Sequence, residues 1–151
     1  MKEINKTAET EQEKTDRENR ETCASIAHEL EAYAEGRAYK CPECGEVIIV
    51  DDGEELPDVC PGCGEKVDSD DFEQLSVYDY FDDALDIEYR VGSDRQYRSV
   101  CVMVTCGGPN IYIDTSSKAV ELYWWGDRAE YRLLSDTVEA IDDVFEELYN
   151  C

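Results

Sequence analysis

The sequence predicts an α+β protein in which a small four-cysteine module is joined to an antiparallel β-meander of about five strands covered by a C-terminal helix. Three observations predict this architecture. The motif Cys-x-x-Cys occurs twice, at residues 41–44 and 60–63. Residues 86–134 alternate apolar and polar side chains between short turn sequences, as the strands of a meander do. Residues 136–149 repeat apolar side chains at helical spacing.

The N-terminal part of the chain is predicted to have two segments. Residues 1–20 are charged and almost free of apolar side chains, which predicts a flexible segment or the frayed start of a helix. Residues 21–37 place apolar side chains at helical spacing, which predicts an amphipathic helix that packs on the body or on a second copy of the chain. The sequence is therefore also compatible with a homodimer. His28 is the only histidine, and we expect it to be packed or solvated rather than catalytic.

Residues 38–69 are predicted to form a zinc ribbon. The two cysteine pairs are separated by 15 residues, close to the spacing typical of four-cysteine zinc sites. Gly45 and Gly64 follow the pairs and permit tight turns. Four thiolates complete a closed tetrahedral site, which predicts one structural Zn²⁺. Two disulfides are disfavoured because the thiols of an intracellular protein stay reduced. The predicted metal ligands are Cys41, Cys44, Cys60 and Cys63.

Residues 70–151 are predicted to form the α+β body. Ser76 begins a helix over residues 76–85, and Ser135 caps the terminal helix over residues 136–149. Short connections rich in glycine, serine and aspartate favour an antiparallel meander between the two helices. The predicted strands lie at residues 87–91, 100–104, 111–113, 120–125 and 131–134.

The sequence shows neither a secretory leader nor an apolar run of membrane-spanning length, so we expect a cytoplasmic protein. In that compartment the cysteines outside the ribbon are free thiols. Cys101 and Cys106 are expected to be small buried side chains, whereas the pattern assigns no role to Cys23 and Cys151.

The charge of the chain is strongly negative, with 38 acidic and 14 basic residues and a net charge of −24. Acidic residues outnumber basic ones in every part of the chain, so the excess is not confined to a tail. Such a field repels nucleic acid and anionic membranes and favours a protein partner with a basic surface. Solubility, or a salt-adapted host, is the alternative explanation. Nucleic-acid binding remains possible only at a local patch on the sheet, formed by Arg90, Arg95, Arg98, Tyr97 and Tyr112.

No residue pattern indicates catalysis, and the sequence therefore predicts no catalytic residue and no enzyme activity. Asp114 and Glu121 flank Lys118, as carboxylates and a lysine do in some metal-dependent nucleases, but their spacing matches no nuclease motif. Adjacent acidic pairs such as Asp142 and Asp143 are usually solvated. A small metal-dependent nuclease is therefore only a third hypothesis.

An aromatic strand and an acidic helix supply the candidate partner-binding residues. Neighbouring strand residues face opposite ways, so Tyr123 and Trp125 are predicted to share a face if Trp124 packs beneath the helix. Aromatic side chains are frequent anchors of protein interfaces. Another part of the chain could instead cover this face. The acidic candidates lie on the terminal helix and are Asp142, Asp143, Glu146 and Glu147.

Residues 106–115 (CGGPNIYIDT) and 120–126 (VELYWWG) resemble small proteins of phages and other mobile elements of Firmicutes. With the acidity and the zinc motif, the chain resembles the zinc-containing acidic anti-CRISPR proteins that inhibit type II-A Cas9. That resemblance implies a bacterial host cell and inhibition of Cas9 by blocking target DNA loading. The resemblance assigns a role in this sequence only to the four zinc cysteines. The alternative is a zinc-ribbon regulatory protein of a mobile element that acts on transcription or conjugation machinery.

Overall fold

The computed structural model describes residues 8–151, and its first helix, α1, spans Glu11–Ala34. Residues 11–20, for which the sequence left open a flexible segment or a frayed helix start, are the first turns of α1. A capping box explains the early start, because the Thr10 hydroxyl accepts from the Glu13 N–H and the Glu13 carboxylate accepts from the Thr10 N–H. Residues 1–7 of the predicted flexible segment lie outside the described residues.

A small antiparallel sheet follows, with β1 (Ala38–Lys40) between β2 (Val47–Ile49) and β3 (Glu73–Gln74). Strands β1 and β2 are the arms of a hairpin whose turn carries Cys41 and Cys44. The second cysteine turn closes a shorter hairpin through a bridge between Val59 and Lys66. Each cysteine pair therefore lies at the tip of its own hairpin.

The helix predicted over residues 76–85 is a single turn, α2 (Val77–Tyr80). The Ser76 N–H donates to the Asp79 carboxylate and begins this turn. The helix ends at Tyr80, and its C-cap residue, Phe81, is buried in the main core. Leu85 then starts the main sheet, since its N–H donates to the Met103 carbonyl.

The main sheet confirms the predicted meander, because its five strands are antiparallel and lie in sequence order. Its strands are β4 (Asp86–Val91), β5 (Tyr97–Thr105), β6 (Asn110–Asp114), β7 (Ala119–Trp124) and β8 (Asp127–Arg132). The last strand begins directly after Gly126, earlier than predicted. A two-residue turn at Trp125 and Gly126, both with positive φ, explains this start.

Two rows of cross-strand neighbours define the faces of the main sheet. The helices pack against the first row, which we call the helix-covered face: Ile87, Val102, Ile113, Val120 and Tyr131. The adjacent row points the other way because side chains alternate along a strand. It defines the open face: Asp86, Met103, Tyr112, Glu121 and Glu130.

The terminal helix α3 (Ser135–Tyr149) confirms the predicted helix, with Ser135 as its first residue rather than its cap. Helix α3 packs on β5, and α1 packs on β7 and β8. The apolar face of α1 therefore rests on the sheet of its own chain. The main core is made by both helices and the sheet, and its largest fully buried members are Leu30, Val100, Val102, Ile113, Val120, Leu122, Ile141 and Phe145.

The cysteine module has a separate, much smaller core. Its buried members are Cys41, Ile48, Cys60, Val67 and Phe72. Two of the five are cysteines, and the other three, with the partly buried Tyr39, Val50 and Leu56 that pack on them, form a small core for about 30 residues. Stability of this module therefore depends on what the cysteine sulfurs bind.

Candidate metal centre and acidic surfaces

The two Cys-x-x-Cys turns have the same backbone geometry. The Gly45 N–H donates to the Cys41 carbonyl at 2.9 Å, and the Gly64 N–H donates to the Cys60 carbonyl at 2.8 Å. Both glycines have positive φ, 75° and 73°, a conformation that other residues adopt only with strain. The sequence repeat is therefore a structural repeat, and each turn presents two sulfurs on one side.

The four sulfurs lie together, all within 4.8 Å of one another. The Sγ–Sγ distance is 4.0 Å between Cys41 and Cys63 and 3.7 Å between Cys44 and Cys60. A tetrahedron with metal–sulfur bonds of about 2.3 Å has edges of about 3.8 Å, which both distances match. A disulfide needs a sulfur separation of about 2.05 Å. The arrangement is therefore one candidate metal site, and no other cluster of potential metal ligands occurs in residues 8–151.

The thiols of the cluster have unequal proton affinities. Backbone N–H groups, that of Cys63 first and that of Gly62 second, hold the pKa of Cys60 at about 7. The Glu46 N–H acts in the same direction on Cys44, but desolvation and the other three sulfurs raise the pKa of Cys44 to about 12. Four thiolates cannot share this space without a counter-charge, which a divalent cation would supply.

The aromatic candidates Tyr123 and Trp125 occupy different kinds of position. Tyr123 lies in β7 on the open face, where its ring packs edge-to-face against Tyr112 and under the Arg128 guanidinium. Trp125 is not in a strand, because it forms the β7–β8 turn and is 90 % exposed. Trp124 is 38 % exposed and does not pack fully beneath a helix. The predicted shared strand face of Tyr123 and Trp125 is therefore wrong.

The acidic candidates are on α3, but they are not equivalent. Asp143, Glu146 and Glu147 are exposed. Asp142 is half-buried and accepts a hydrogen bond from the Tyr97 hydroxyl, so it helps to fix α3 to β5. Among the predicted partner-binding acids, only the other three form a free acidic ridge.

The structure does not bring the aromatic and acidic candidates together. Helix α3 lies on the helix-covered face, whereas Tyr123 lies on the open face. The two groups also lie at different ends, because Asp142 contacts the start of β5 while Trp125 follows the end of β7. One flat partner surface cannot contact both groups.

Two arginines of the predicted basic patch are paired with carboxylates of the same chain. Arg90 pairs with Asp114, and Arg98 pairs with Asp94. Tyr97 is buried and belongs to the main core. The same ion pair weakens the hypothesis of a nuclease site on Asp114. Both oxygens of the Asp114 carboxylate already accept hydrogen bonds from Arg90.

The remaining cysteines and the histidine lie outside the cluster. Cys23 is buried and Cys101 is half-buried, but Cys106 is exposed in the β5–β6 turn, so the expectation that Cys106 is buried was wrong. His28 is mostly exposed and packs its ring edge against Tyr131. Sequence reasoning missed the exposed apolar residues around α2 and β4, because it predicted one continuous helix over residues 76–85.

Across residues 8–151, no helix combines the length and apolarity that crossing a membrane requires. No family model, curated protein or solved structure matches the chain. The four-cysteine cluster and the distribution of charge are therefore the features on which a function can be argued.

Proposed function

We propose that this chain is an acidic, zinc-stabilised interaction protein that binds a basic nucleic-acid-handling protein, with type II-A Cas9 as the partner whose DNA loading it blocks. The charge carries the proposal. The net charge is −24, and five arginines are already paired with carboxylates of the same chain. These arginines are Arg17, Arg37, Arg90, Arg98 and Arg128.

A surface of this charge is complementary to a channel that holds nucleic acid. Cas9 keeps its guide–target heteroduplex in a positively charged channel. A folded acidic protein can occupy such a channel without catalysing a reaction, because it presents negative charge to the channel, as DNA does. Electrostatic steering then accelerates association, and added salt weakens it.

The exposed acids of α3 and the aromatic turn have different roles in this proposal. Asp143, Glu146 and Glu147 steer the encounter, and steering acts over about 8–10 Å of solution without direct contact. Trp125 is the contact anchor. It is 90 % exposed and has a φ of 47°, a conformation that is unfavourable for a bulky side chain. Residues in unfavourable backbone conformations concentrate at ligand-binding sites, and tryptophan is a frequent interface anchor, which supports a role in recognition.

The cysteine cluster has a structural role in this proposal. Its four thiolates hold one Zn²⁺ as a zinc ribbon, with all four positions filled by protein. Zinc then stabilises a module whose own core is too small. The metal contributes rigidity to the acidic body and no chemistry.

Size-exclusion co-elution with guide-loaded type II-A Cas9, with and without target DNA and at two salt concentrations, tests the proposal. We expect a complex that prevents DNA loading and weakens with salt. Absence of a complex at low salt would overturn the Cas9 assignment and favour the regulatory alternative.

Two matched double variants separate a local acidic site from total charge. Asp143→Lys with Glu146→Lys changes the α3 ridge, and Glu18→Lys with Glu21→Lys changes exposed acids of α1 at the same spacing. Both pairs change the net charge equally. We expect slower association for the α3 pair and a smaller change for the α1 pair. Equal association rates for the two double variants would remove α3 from the proposal. Trp125→Ala tests the anchor separately, through the dissociation rate of the complex.

A further inference from the structure

Strand β4 leaves one edge of the main sheet unpaired within residues 8–151, because it is the first strand in the order β4-β5-β6-β7-β8. A groove of about 190 Å³ lies beside it, lined in part by Tyr78, Ile87 and Leu148. These three large side chains are 55 %, 38 % and 38 % exposed. An open strand edge beside an apolar groove is an arrangement to which extended peptides add as a further strand.

The two faces of β4 differ in chemistry. Ile87 and Val91 are exposed on the helix-covered face, 38 % and 42 %, because β4 is the outermost strand. Asp86 and Glu88 are exposed on the open face. Since side chains alternate along a strand, a strand added to β4 would contact apolar groups on one face and carboxylates on the other.

We infer that the β4 edge binds an extended segment of the partner protein in which basic and apolar side chains alternate. The segment joins the sheet as a sixth strand. Its apolar side chains cover Ile87 and enter the groove against Leu148 and Tyr78. Its lysines or arginines pair with Asp86 and Glu88. The expectation of a basic partner rests on the proposed function, but the edge and the groove do not.

A second copy of this chain is a poorer occupant. Each copy carries a net charge of −24, which opposes self-association. The basic residue of β4, Arg90, already pairs with Asp114, so a second β4 offers no free cation to Asp86 and Glu88. Charge complementarity therefore favours a basic segment of another protein.

A short peptide that alternates lysine and valine is the probe, and a peptide that alternates glutamate and valine is its control. Amide chemical shifts of the full chain locate binding, and fluorescence anisotropy measures affinity. We expect the lysine peptide to shift the amides of β4 and of Leu148, and the glutamate peptide to leave them unchanged. Shifts confined to other elements, or none for either peptide, would overturn the inference.

Two edge strands supply a matched pair of charge reversals. Glu88→Lys changes β4, and Glu130→Lys changes an exposed glutamate on β8 at the opposite edge. We expect Glu88→Lys to weaken peptide binding by about tenfold, and Glu130→Lys to change it less than about twofold. Ile87→Lys, which places a charge at the groove, should weaken binding similarly. Equal affinities for Glu88→Lys and Glu130→Lys would contradict the inference.

Guide-loaded Cas9 then separates the inference from the proposed function. Lysine-peptide binding along β4 without Cas9 binding supports the edge and overturns the proposed partner. Equal Cas9 binding by the wild-type chain, Ile87→Lys and Glu88→Lys supports the proposed function and overturns the role of the edge. Loss of Cas9 binding in both variants, with Glu130→Lys unchanged, supports both.

Discussion

Arg90 and Asp114 form a bidentate ion pair across the open face, with N–O distances of 2.7 and 2.8 Å. The Asp114 side chain is 9 % exposed and also accepts from the N–H groups of Ser116 and Ser117. Arg90 lies in β4 and Asp114 lies in β6, so the pair joins two strands that are not neighbours. The edge strand and the β6–β7 turn are therefore held by one carboxylate.

Removing the cation of this pair should destabilise the protein, because Asp114 then keeps a poorly solvated negative charge. We expect Arg90→Met to lower the free energy of unfolding by about 1–3 kcal/mol. Arg98→Met is the control, since Arg98 and Asp94 are both exposed and such pairs contribute about 0–1 kcal/mol. Urea unfolding of both variants measures the difference. Equal losses would show that the half-buried Arg90–Asp114 pair contributes no more than a surface pair.

The same pair predicts a pH dependence. Burial alone would raise the pKa of Asp114, but Arg90 and the two backbone N–H groups hold it below its ordinary value of 3.8. A lowered folded pKa gives stability that is present above the unfolded value and is lost as the pH falls through the folded value. We expect the stability gap between the wild-type chain and Arg90→Met to be constant above about pH 5 and to shrink below about pH 4. A gap that grows on acidification would contradict this sign.

Metal removal should unfold the cysteine module and spare the main sheet, because the two have separate cores. Purified protein is expected to contain one zinc per chain by elemental analysis. A chelator should raise hydrogen exchange at Ile48, Val67 and Phe72 while the strands of the main sheet stay protected. Cys44→Ser should lose the metal, and Cys106→Ser, which changes an exposed cysteine outside the cluster, should keep it. Metal loss in both variants would exclude the assigned ligand set.

Phe145 should be a stability hot spot of the main core. It is 1 % exposed and packs edge-to-face with Phe81, at 5.1 Å between ring centroids. We expect Phe145→Ala to cost about 3–5 kcal/mol, because it leaves a cavity between α3 and the sheet. Leu148→Ala on the same helix removes a side chain that is 38 % exposed and should cost less than about 1.5 kcal/mol. Thermal unfolding of the two variants tests whether α3 is fixed mainly by Phe145.

Features encoded by neighbouring residues could be predicted from the sequence. The cysteine turns depend on two short motifs, and the strands of the meander depend on local alternation of polar and apolar residues. The start of α1 is also encoded by neighbouring residues, since Thr10 and Glu13 form a capping box. The charged composition of residues 1–20 nevertheless favoured the prediction of a flexible segment. The capping box was thus the better guide to helix formation.

Features that depend on distant contacts could not be predicted in this way. Asp142 looked like a solvated acid, but it meets Tyr97, 45 residues away. Trp125 continued an apparent strand, yet the turn with Gly126 removes it from β7. Arg90 looked free for a partner until the fold placed Asp114 beside it. In each case the sequence identified the residue type correctly, and the tertiary contact decided what the residue does.

The packing of α1 on β7 and β8 has a consequence for the order in which the chain can fold. Each strand of the main sheet pairs with its neighbour in sequence, so hairpins can form rapidly as the ribosome releases them. Helix α1 is synthesised before the two strands that it covers, which are the last two strands of the main sheet. Cys23, Ala27 and Leu30 therefore face water, or a chaperone, until β8 has left the ribosome.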